Sequence, residues 1–239
     1  RLMRKIIREG VKTRVLMLNF PCNPTGAVLV KQDVEDIAAF CVQHDLLLLT
    51  DEIYAELTYD SKHVSFVSIP AMKERTIFLH GMSKAWAMTG FRIGYACAPA
   101  EISENMMKLH QYAIMSAPTT GQKAAAEALE RGDSAVADMV AEYNRRRNYL
   151  IASFAEMGVP CHTPAGAFYA FPYIGDLGIS AEDFALRFLE EKGVAVVPGD
   201  AFGQCGAGFL RCAYATSMDN IREAMKRMAE FVAAVRTEK

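Results

Sequence analysis

The stretch Ser83-Lys-Ala-Trp-Ala-Met-Thr-Gly-Phe-Arg-Ile-Gly-Tyr95 begins with a hydroxyl and an amine and ends in apolar residues. A continuous apolar run, Thr76 to His80, comes shortly before it, and Arg92 to Ala98 is a strand candidate that overlaps its end. A short apolar run of this kind predicts a strand buried on both faces of a sheet. Ser83 and Lys84 would then follow the carboxyl end of such a strand.

The same pattern extends towards the start of the chain. Val15 to Phe20 and Leu46 to Leu49 are apolar runs of strand length. Between them, Asp33 to His44 carries apolar residues at helical spacing. Strands that alternate with helices predict an α/β fold with a largely parallel sheet.

After Ala100 the pattern changes to a series of helices and then to a small α+β unit. The predicted helices are Ile102 to Met115, Pro118 to about Glu130, and Asp133 to Met157. The later predicted elements are strand Ala167 to Phe171, helix Ser180 to Lys192, strands Val194 to Val197 and Gly208 to Tyr214, and helix Asp219 to Val235. We place a domain boundary near Arg145, which predicts domains of residues 1–145 and 146–239. Arg145, Arg146 and Arg147 are interpreted as part of a solvated helix face.

Composition excludes several classes of function. The chain has 239 residues, of which 51% are hydrophobic, and a net charge of -2. This balance does not favour binding to nucleic acid or to an anionic membrane. The apolar runs are too short to span a bilayer and no signal pattern opens the chain, so we expect a cytoplasmic protein. Six cysteines lack the spacing of a zinc site, and no metal is expected.

The first residues suggest a longer parent protein. The chain begins at Arg1 rather than at methionine, and residues 1–10 resemble the end of an amphipathic helix. We therefore expect that a segment upstream of Arg1 is missing.

Five polar side chains follow the predicted strands where ligands bind in open α/β sheets, which is beyond the carboxyl ends. Asn23 follows the first strand, and Asp51 follows the second, with Tyr54 one helical turn further on. Ser83 and Lys84 follow the third. Each residue alone could be an ordinary turn, cap, core or surface residue. Together they predict a site at one edge of the sheet.

Four motifs carry a family resemblance: Asn23-Pro-Thr-Gly26, Asp51-Glu-Ile-Tyr54, Ser83-Lys84 and Gly90-Phe-Arg-Ile-Gly94. In order and spacing they resemble the signature of class I aminotransferases in the fold-type-I pyridoxal-phosphate superfamily. Further matches reach the end of the chain, at Ala165-Gly-Ala-Phe-Tyr169, Val197-Pro-Gly199 and Phe209-Leu-Arg211. The resemblance implies the mostly parallel sheet of an incomplete large domain, a smaller α+β C-terminal domain, and pyridoxal 5'-phosphate as cofactor.

The resemblance also implies catalytic roles. Lys84 would carry the cofactor as a Schiff base and later move a proton between the substrate and the cofactor. Asp51 would pair with the pyridine nitrogen and keep it protonated, so that the ring accepts electrons. Asn23 and Tyr54 would hydrogen-bond the phenolic oxygen of the cofactor.

Three further roles concern anions. By the same resemblance, Ser83 and Arg92 would hold the cofactor phosphate, Arg92 through a charge-assisted fork. Arg211 would bind the substrate α-carboxylate, which a planar guanidinium matches with two hydrogen bonds. Asn23 would take part in substrate binding as well.

The chain departs from the family pattern at its start. Family members carry a long segment before the Asn-Pro-Thr-Gly turn, which supplies a phosphate-cradling helix N-terminus and an aromatic ring that stacks on the cofactor. It also supplies contacts from the neighbouring subunit of a homodimer. We therefore expect this chain alone to be inactive and to have an exposed sheet edge.

The resulting hypothesis is an aminotransferase that moves an amino group from an L-amino acid to a 2-oxo acid. A β-lyase on the same fold is one alternative, because it would share Lys84, Asp51 and Arg211. The aminotransferase-like sensor domain of a transcription regulator is another, and a winged helix upstream would distinguish it. Aspartate, aromatic residues and alanine all stay open as amino donors.

Overall fold

The computed structural model describes residues 12–238, which form two compact units. The helix end predicted in residues 1–10 lies outside the described residues. The first unit runs up to Pro21 and also contains Val28–Glu56 and Lys62–Val136. The second contains Cys22–Ala27, Leu57–Ser61 and the chain from Ala137 onwards. The predicted domain boundary near Arg145 lies further along the same helix as this division and stays a prediction.

A four-stranded sheet forms the centre of the first unit. Its strands are β1 (Val15–Asn19), β2 (Leu47–Asp51), β3 (Thr76–Gly81) and β4 (Gly94–Cys97), and they lie side by side in that order. The pairs β1–β2 and β2–β3 are parallel, whereas β4 runs antiparallel to β3. The predicted largely parallel α/β sheet is therefore confirmed. All residues of β4, and Val15 and Met17 of β1, are exposed at the two outer strands.

Helix α1 (Lys31–Gln43) covers part of this sheet because its apolar residues repeat at helical spacing. It begins where the Val30 amide donates to Asp33 Oδ2 at 3.2 Å. Its buried face belongs to a cluster that consists of Val34, Ala38, Phe40, Cys41, Leu46, Leu48, Phe66 and Met72. Two more helices follow β4, namely α2 (Ala100–Ala113) and α3 (Thr119–Arg131).

Helix α4 (Asp133–Glu156) leads into the second unit, whose sheet is small and antiparallel. The strands β5 (Tyr169–Ala170), β6 (Val197–Pro198) and β7 (Leu210–Ala213) are ordered β5–β7–β6. The strand predicted at Val194 to Val197 is wrong in its bounds. The side chains of Val194 and Val196 pack against the core, and the pairing with β7 involves only Val197 and Pro198.

Two helices complete the second unit, α5 (Ala181–Lys192) and α6 (Met218–Thr237). Both begin at a serine that caps the first turn: Ser180 Oγ accepts from the Asp183 amide, and Ser217 Oγ accepts from the Asn220 amide. Gly193 ends α5 in the left-handed conformation at φ +65°. The predicted helices are thus confirmed, with ends that differ by at most two residues.

Two broader properties follow from the described residues. Between residues 12 and 238, no helix is both long and apolar enough to cross a membrane. Within the same range, no group of three or more His, Cys, Asp or Glu side chains could hold a metal ion. The six cysteines all lie in this range and are free thiols.

The aromatic core of the second unit yields a stability prediction. The ring of Phe231 lies 4.9 Å from that of Phe184 and 5.3 Å from that of Phe188, and all three side chains are fully buried. Phe231→Ala should lower the free energy of unfolding by about 3–5 kcal/mol, because it removes apolar contacts and leaves a cavity. Urea unfolding followed by circular dichroism measures this change.

Leu186→Ala on α5 is the matched control, because Leu186 is 53% exposed. Its effect should stay within about 0.5 kcal/mol. Equal effects of the two substitutions would contradict the assignment of the core.

Candidate active site

Asp51 is fixed at the carboxyl end of β2, between the ends of the two neighbouring strands. The register places it opposite Asn19 of β1 and opposite Leu79 of β3. Its Oδ1 accepts from the Ile53 amide at 3.1 Å, and its carbonyl oxygen accepts from the Phe20 amide at 3.2 Å. The carboxylate therefore sits on a backbone that is held from both sides.

Lys84 and Tyr54 come together in the first unit. Beyond β3 the chain passes through the buried Met82 and turns at Lys84, whose carbonyl oxygen accepts from the Ala87 amide. Lys84 Nζ lies 5.8 Å from the centroid of the Tyr54 ring. Tyr54 is buried and Lys84 is half-buried. The Lys84 amine is therefore partly removed from water and lies beside the face of a buried phenol.

Ser83 and Arg92 lie on the loop between β3 and β4. Ser83 is half-buried, whereas Arg92 is exposed. Arg92 has a left-handed backbone at φ 56°, and its Nη1 donates to the Thr89 carbonyl oxygen at 3.0 Å. Their role in holding an anion stays a prediction.

Arg211 of β7 is the centre of a cluster in the second unit. Its Nη1 donates to Asn23 Oδ1 at 3.0 Å. Its guanidinium carbon lies 4.8 Å from the ring centroids of both Tyr169 and Phe202. Its Nε is buried and has no hydrogen-bond partner among the described residues. A planar cation held beside two aromatic rings suits the recognition of a carboxylate.

The Asn23-Pro-Thr-Gly26 turn is built into the second unit, although it follows a strand of the first. The turn closes where the Gly26 amide donates to the Cys22 carbonyl oxygen at 2.8 Å. The Gly26 carbonyl oxygen accepts from the amides of Ala165 and Gly166 at 3.0 and 2.9 Å. Sequence analysis grouped Asn23 with the residues at the sheet edge, and the structure brings its side chain to Arg211.

Sequence analysis did not identify Tyr169 and Phe202 as neighbours of Arg211. Tyr169 belongs to the motif that begins at Ala165, and the match of that motif to the family pattern was the available signal. Phe202 lies in the loop between β6 and β7. Its contact with Arg211 depends on how this loop folds back, which local sequence does not encode.

The interpretation of Arg147 as a solvated residue is wrong. Arg147 is 5% exposed, and its Nη1 and Nη2 donate to the carboxylate of Asp60 at 2.7 and 3.1 Å. Its Nη1 also donates to the Pro164 carbonyl oxygen at 2.9 Å. The hydrogen bonds from Arg147 lower the pKa of Asp60 below its usual value. Charge spacing on the helix could not reveal a partner that lies 87 residues away.

Comparison with known proteins points to one family. A sequence model described as "Aminotransferase class I and II" matches residues 1–228. A putative aminotransferase of Bacillus subtilis (strain 168), YugH, is 49% identical over 221 residues, which is 92% of this chain and 57% of that protein. The aspartate aminotransferase of Pyrococcus abyssi (strain GE5 / Orsay) is 47% identical over 229 residues, which is 95% of this chain and 58% of that protein.

Solved structures agree with these relatives. The crystal structure of an aromatic aminotransferase from Pyrococcus horikoshii OT3 matches with a TM-score of 0.92 at 46% identity. The match covers 98% of this chain and 64% of that one. It confirms the predicted fold class, with part of a large α/β domain and a smaller α+β C-terminal domain. The chain spans less than two thirds of the length of these relatives.

The geometry at Gly26 predicts that the turn tolerates no side chain. Gly26 has φ +67°, and an added Cβ would lie 2.3 Å from Pro164 Cβ and 2.9 Å from the Gly166 carbonyl oxygen. Gly26→Ala should therefore cost about 1–2 kcal/mol for the left-handed backbone and about 1–3 kcal/mol for the overlap. Thermal and urea unfolding measure the loss.

Gly90→Ala is the control for this substitution. An added Cβ at Gly90 meets no atom of the described residues within 4 Å. Its effect should stay within about 0.5 kcal/mol. A Gly26→Ala variant as stable as Gly90→Ala would show that the turn is not constrained as described.

Proposed function

The chain belongs to the family of class I and II aminotransferases, and we propose that the complete protein is an amino-acid aminotransferase that uses pyridoxal 5'-phosphate. The proposal concerns the complete protein because the chain spans 57% and 58% of the first two relatives. Its substrates would be an L-amino acid and a 2-oxo acid, and the family pattern favours a homodimer.

One observation carries the proposal: the half-buried Lys84 amine lies 5.8 Å from the ring of the buried Tyr54. Both residues follow strands whose carboxyl ends share an edge with Asp51. An amine, a phenol and a carboxylate on one edge are the groups that an aldehyde, a phenolic oxygen and a pyridine nitrogen require. These residues therefore fit pyridoxal phosphate.

Pyridoxal phosphate, when bound, supplies an aldehyde that bonds amines and a ring that withdraws electrons from a bound amino acid. Lys84 would bond the aldehyde through Nζ in the resting protein. When the substrate amine replaces it, Lys84 Nζ is free to accept the proton from the substrate Cα and to deliver it again. The ring of Tyr54, 5.8 Å from Nζ, would restrict where the freed amine can lie.

Asp51 and Tyr54 would set the electronic state of the cofactor. The Asp51 carboxylate would pair with the ring nitrogen and keep its proton in place, because an opposite charge favours the protonated form. The Tyr54 hydroxyl and the Asn23 amide would hydrogen-bond the phenolic oxygen. Ser83 and Arg92 would hold the phosphate through a hydroxyl and a charged fork.

Arg211 would bind the α-carboxylate of the substrate. Its guanidinium is a planar fork of N–H donors, which a carboxylate matches with two hydrogen bonds. The rings of Tyr169 and Phe202, each 4.8 Å away, limit the orientations of the guanidinium and so orient the bound acid. The hydrogen bond from Arg211 Nη1 to the Asn23 side chain supports the same orientation of the guanidinium.

Lys84→Ala tests the proposed function directly. The complete protein should convert 2-oxoglutarate to glutamate with a suitable amino donor, and Lys84→Ala should abolish this turnover while the fold is retained. Borohydride reduction of the loaded wild-type protein should attach the cofactor to the peptide that contains Lys84, which peptide mass spectrometry identifies. The Lys84→Ala protein should show no attachment.

Lys73→Ala is the control, because Lys73 is an exposed lysine next to the opposite end of β3. It should keep full turnover and normal attachment. Attachment at another lysine would refute the role of Lys84. Release of pyruvate and ammonia in place of a new amino acid would identify a lyase instead of an aminotransferase.

Arg211→Lys tests the carboxylate site. The substitution keeps the charge and removes the planar fork, so the KM for the amino donor should rise roughly 10- to 100-fold, as expected for a lost charge-assisted hydrogen bond. Steady-state kinetics measure the change. Arg222→Lys, at an exposed ion pair with Asp219, should leave the KM unchanged, and a similar KM in the two variants would contradict the assignment.

A further inference from the structure

The buried carboxylate of Glu52 has no role in the proposed chemistry, although its neighbours in the chain, Asp51 and Tyr54, do. Glu52 stands between Asp51 and Tyr54 in the chain and is 1% exposed. Its Oε2 lies 2.6 Å from His63 Nε2. Its Oε1 accepts from Thr50 Oγ1 at 3.2 Å.

The amide of Phe66 also donates to Glu52 Oε1, at 3.3 Å. A buried carboxylate is stable only when donors surround it. Three donors here converge on the two oxygens of Glu52. They come from β2 itself, from His63, and from the short turn that begins at Phe66.

The pair with His63 is the contact that reaches the surface. The His63 side chain is 12% exposed, whereas the Glu52 side chain is 1% exposed. His63 lies 11 residues further along the chain than Glu52. The imidazole therefore holds the end of β2 to a separate segment of the first unit.

The backbone around Glu52 connects this anchor to the candidate site. The Glu52 amide donates to the Leu79 carbonyl oxygen of β3 at 3.0 Å, and the Ala55 amide donates to the Glu52 carbonyl oxygen at 2.9 Å. Successive side chains of an extended strand point to opposite faces, so that a fixed Glu52 leaves Asp51 on the other side. The turn from Glu52 to Ala55 carries Tyr54.

We propose that Glu52 and His63 form a positioning pair, which holds Asp51 and Tyr54 in the geometry that the cofactor requires. The pair acts through the backbone of residues 51–55 and does not touch the reacting atoms. This inference rests on the proposed function, because it assigns the pair to the site of Asp51 and Tyr54. It adds a role for Glu52 and His63, to which sequence analysis assigned none.

His63→Ala in the complete protein tests the pair. Loss of the imidazole should weaken the binding of pyridoxal phosphate, shift the circular dichroism band of the bound cofactor, and lower kcat roughly 10- to 100-fold with a smaller change in KM. In the cofactor-free protein, the amides of Ile53 and Ala55 should exchange hydrogen faster, because the turn is no longer anchored.

Three variants separate positioning from a general loss of stability. His63→Gln retains a side-chain N–H donor and should restore most of the affinity, the dichroism band and kcat. Thr50→Val removes a single donor to Glu52 and should speed the same amide exchange even if His63→Ala fails to fold. Asp45→Asn weakens an ion pair with Arg75, next to the opposite end of β2, and should change none of these readouts.

The outcomes distinguish this inference from the proposed function. Wild-type protein that binds no pyridoxal phosphate would overturn both. Wild-type protein that binds it normally, with His63→Ala or Thr50→Val showing unchanged exchange at Ile53 and Ala55, would overturn the positioning pair alone. A His63→Ala defect that His63→Gln does not restore would also overturn it.

Discussion

The parallel register of β1, β2 and β3 is the constraint on which the candidate site depends. Backbone hydrogen bonds place Asn19 opposite Asp51 and Asp51 opposite Leu79, so that the three strands end at a common edge. A slip of β2 by one residue would exchange Asp51 with Glu52. The first carboxylate would then lie in the core and the second at the edge, and the buried donors around Glu52 prevent this exchange.

Two arginines play a comparable part in the second unit, because the charge of Arg147 is buried and that of Arg211 is partly buried, and both need polar partners. Arg147 reaches the Asp60 carboxylate and the Pro164 carbonyl oxygen, next to the loop on which the Gly26 turn rests. Arg211 reaches Asn23 in that same turn. Backbone contacts thus hold the turn in place. The side-chain amide of Asn23 lies next to Arg211, at the proposed carboxylate site.

Local pattern was sufficient for most of the secondary structure. Continuous apolar runs identified β1, β2 and β3, and apolar residues at helical spacing identified the helices. The pattern was insufficient at Val194 and Val196, because a side chain that fills a core and one that belongs to a paired strand are equally apolar. It also failed at Arg147, because an arginine on a helix shows the same local spacing whether it is solvated or paired.

The sequence by itself determined which residues could form a site: the order of the polar strand ends at Asp51 and Lys84 and the family motifs depend on local spacing and residue type. Only the tertiary structure decided which of them meet. The contacts of Arg211 with Asn23, Tyr169 and Phe202, and the pairing of Glu52 with His63, join residues that are distant in the chain or separated by a turn. Such contacts depend on how the elements pack, because hydrogen bonds and ring contacts require distances of a few ångströms that spacing along the chain does not specify.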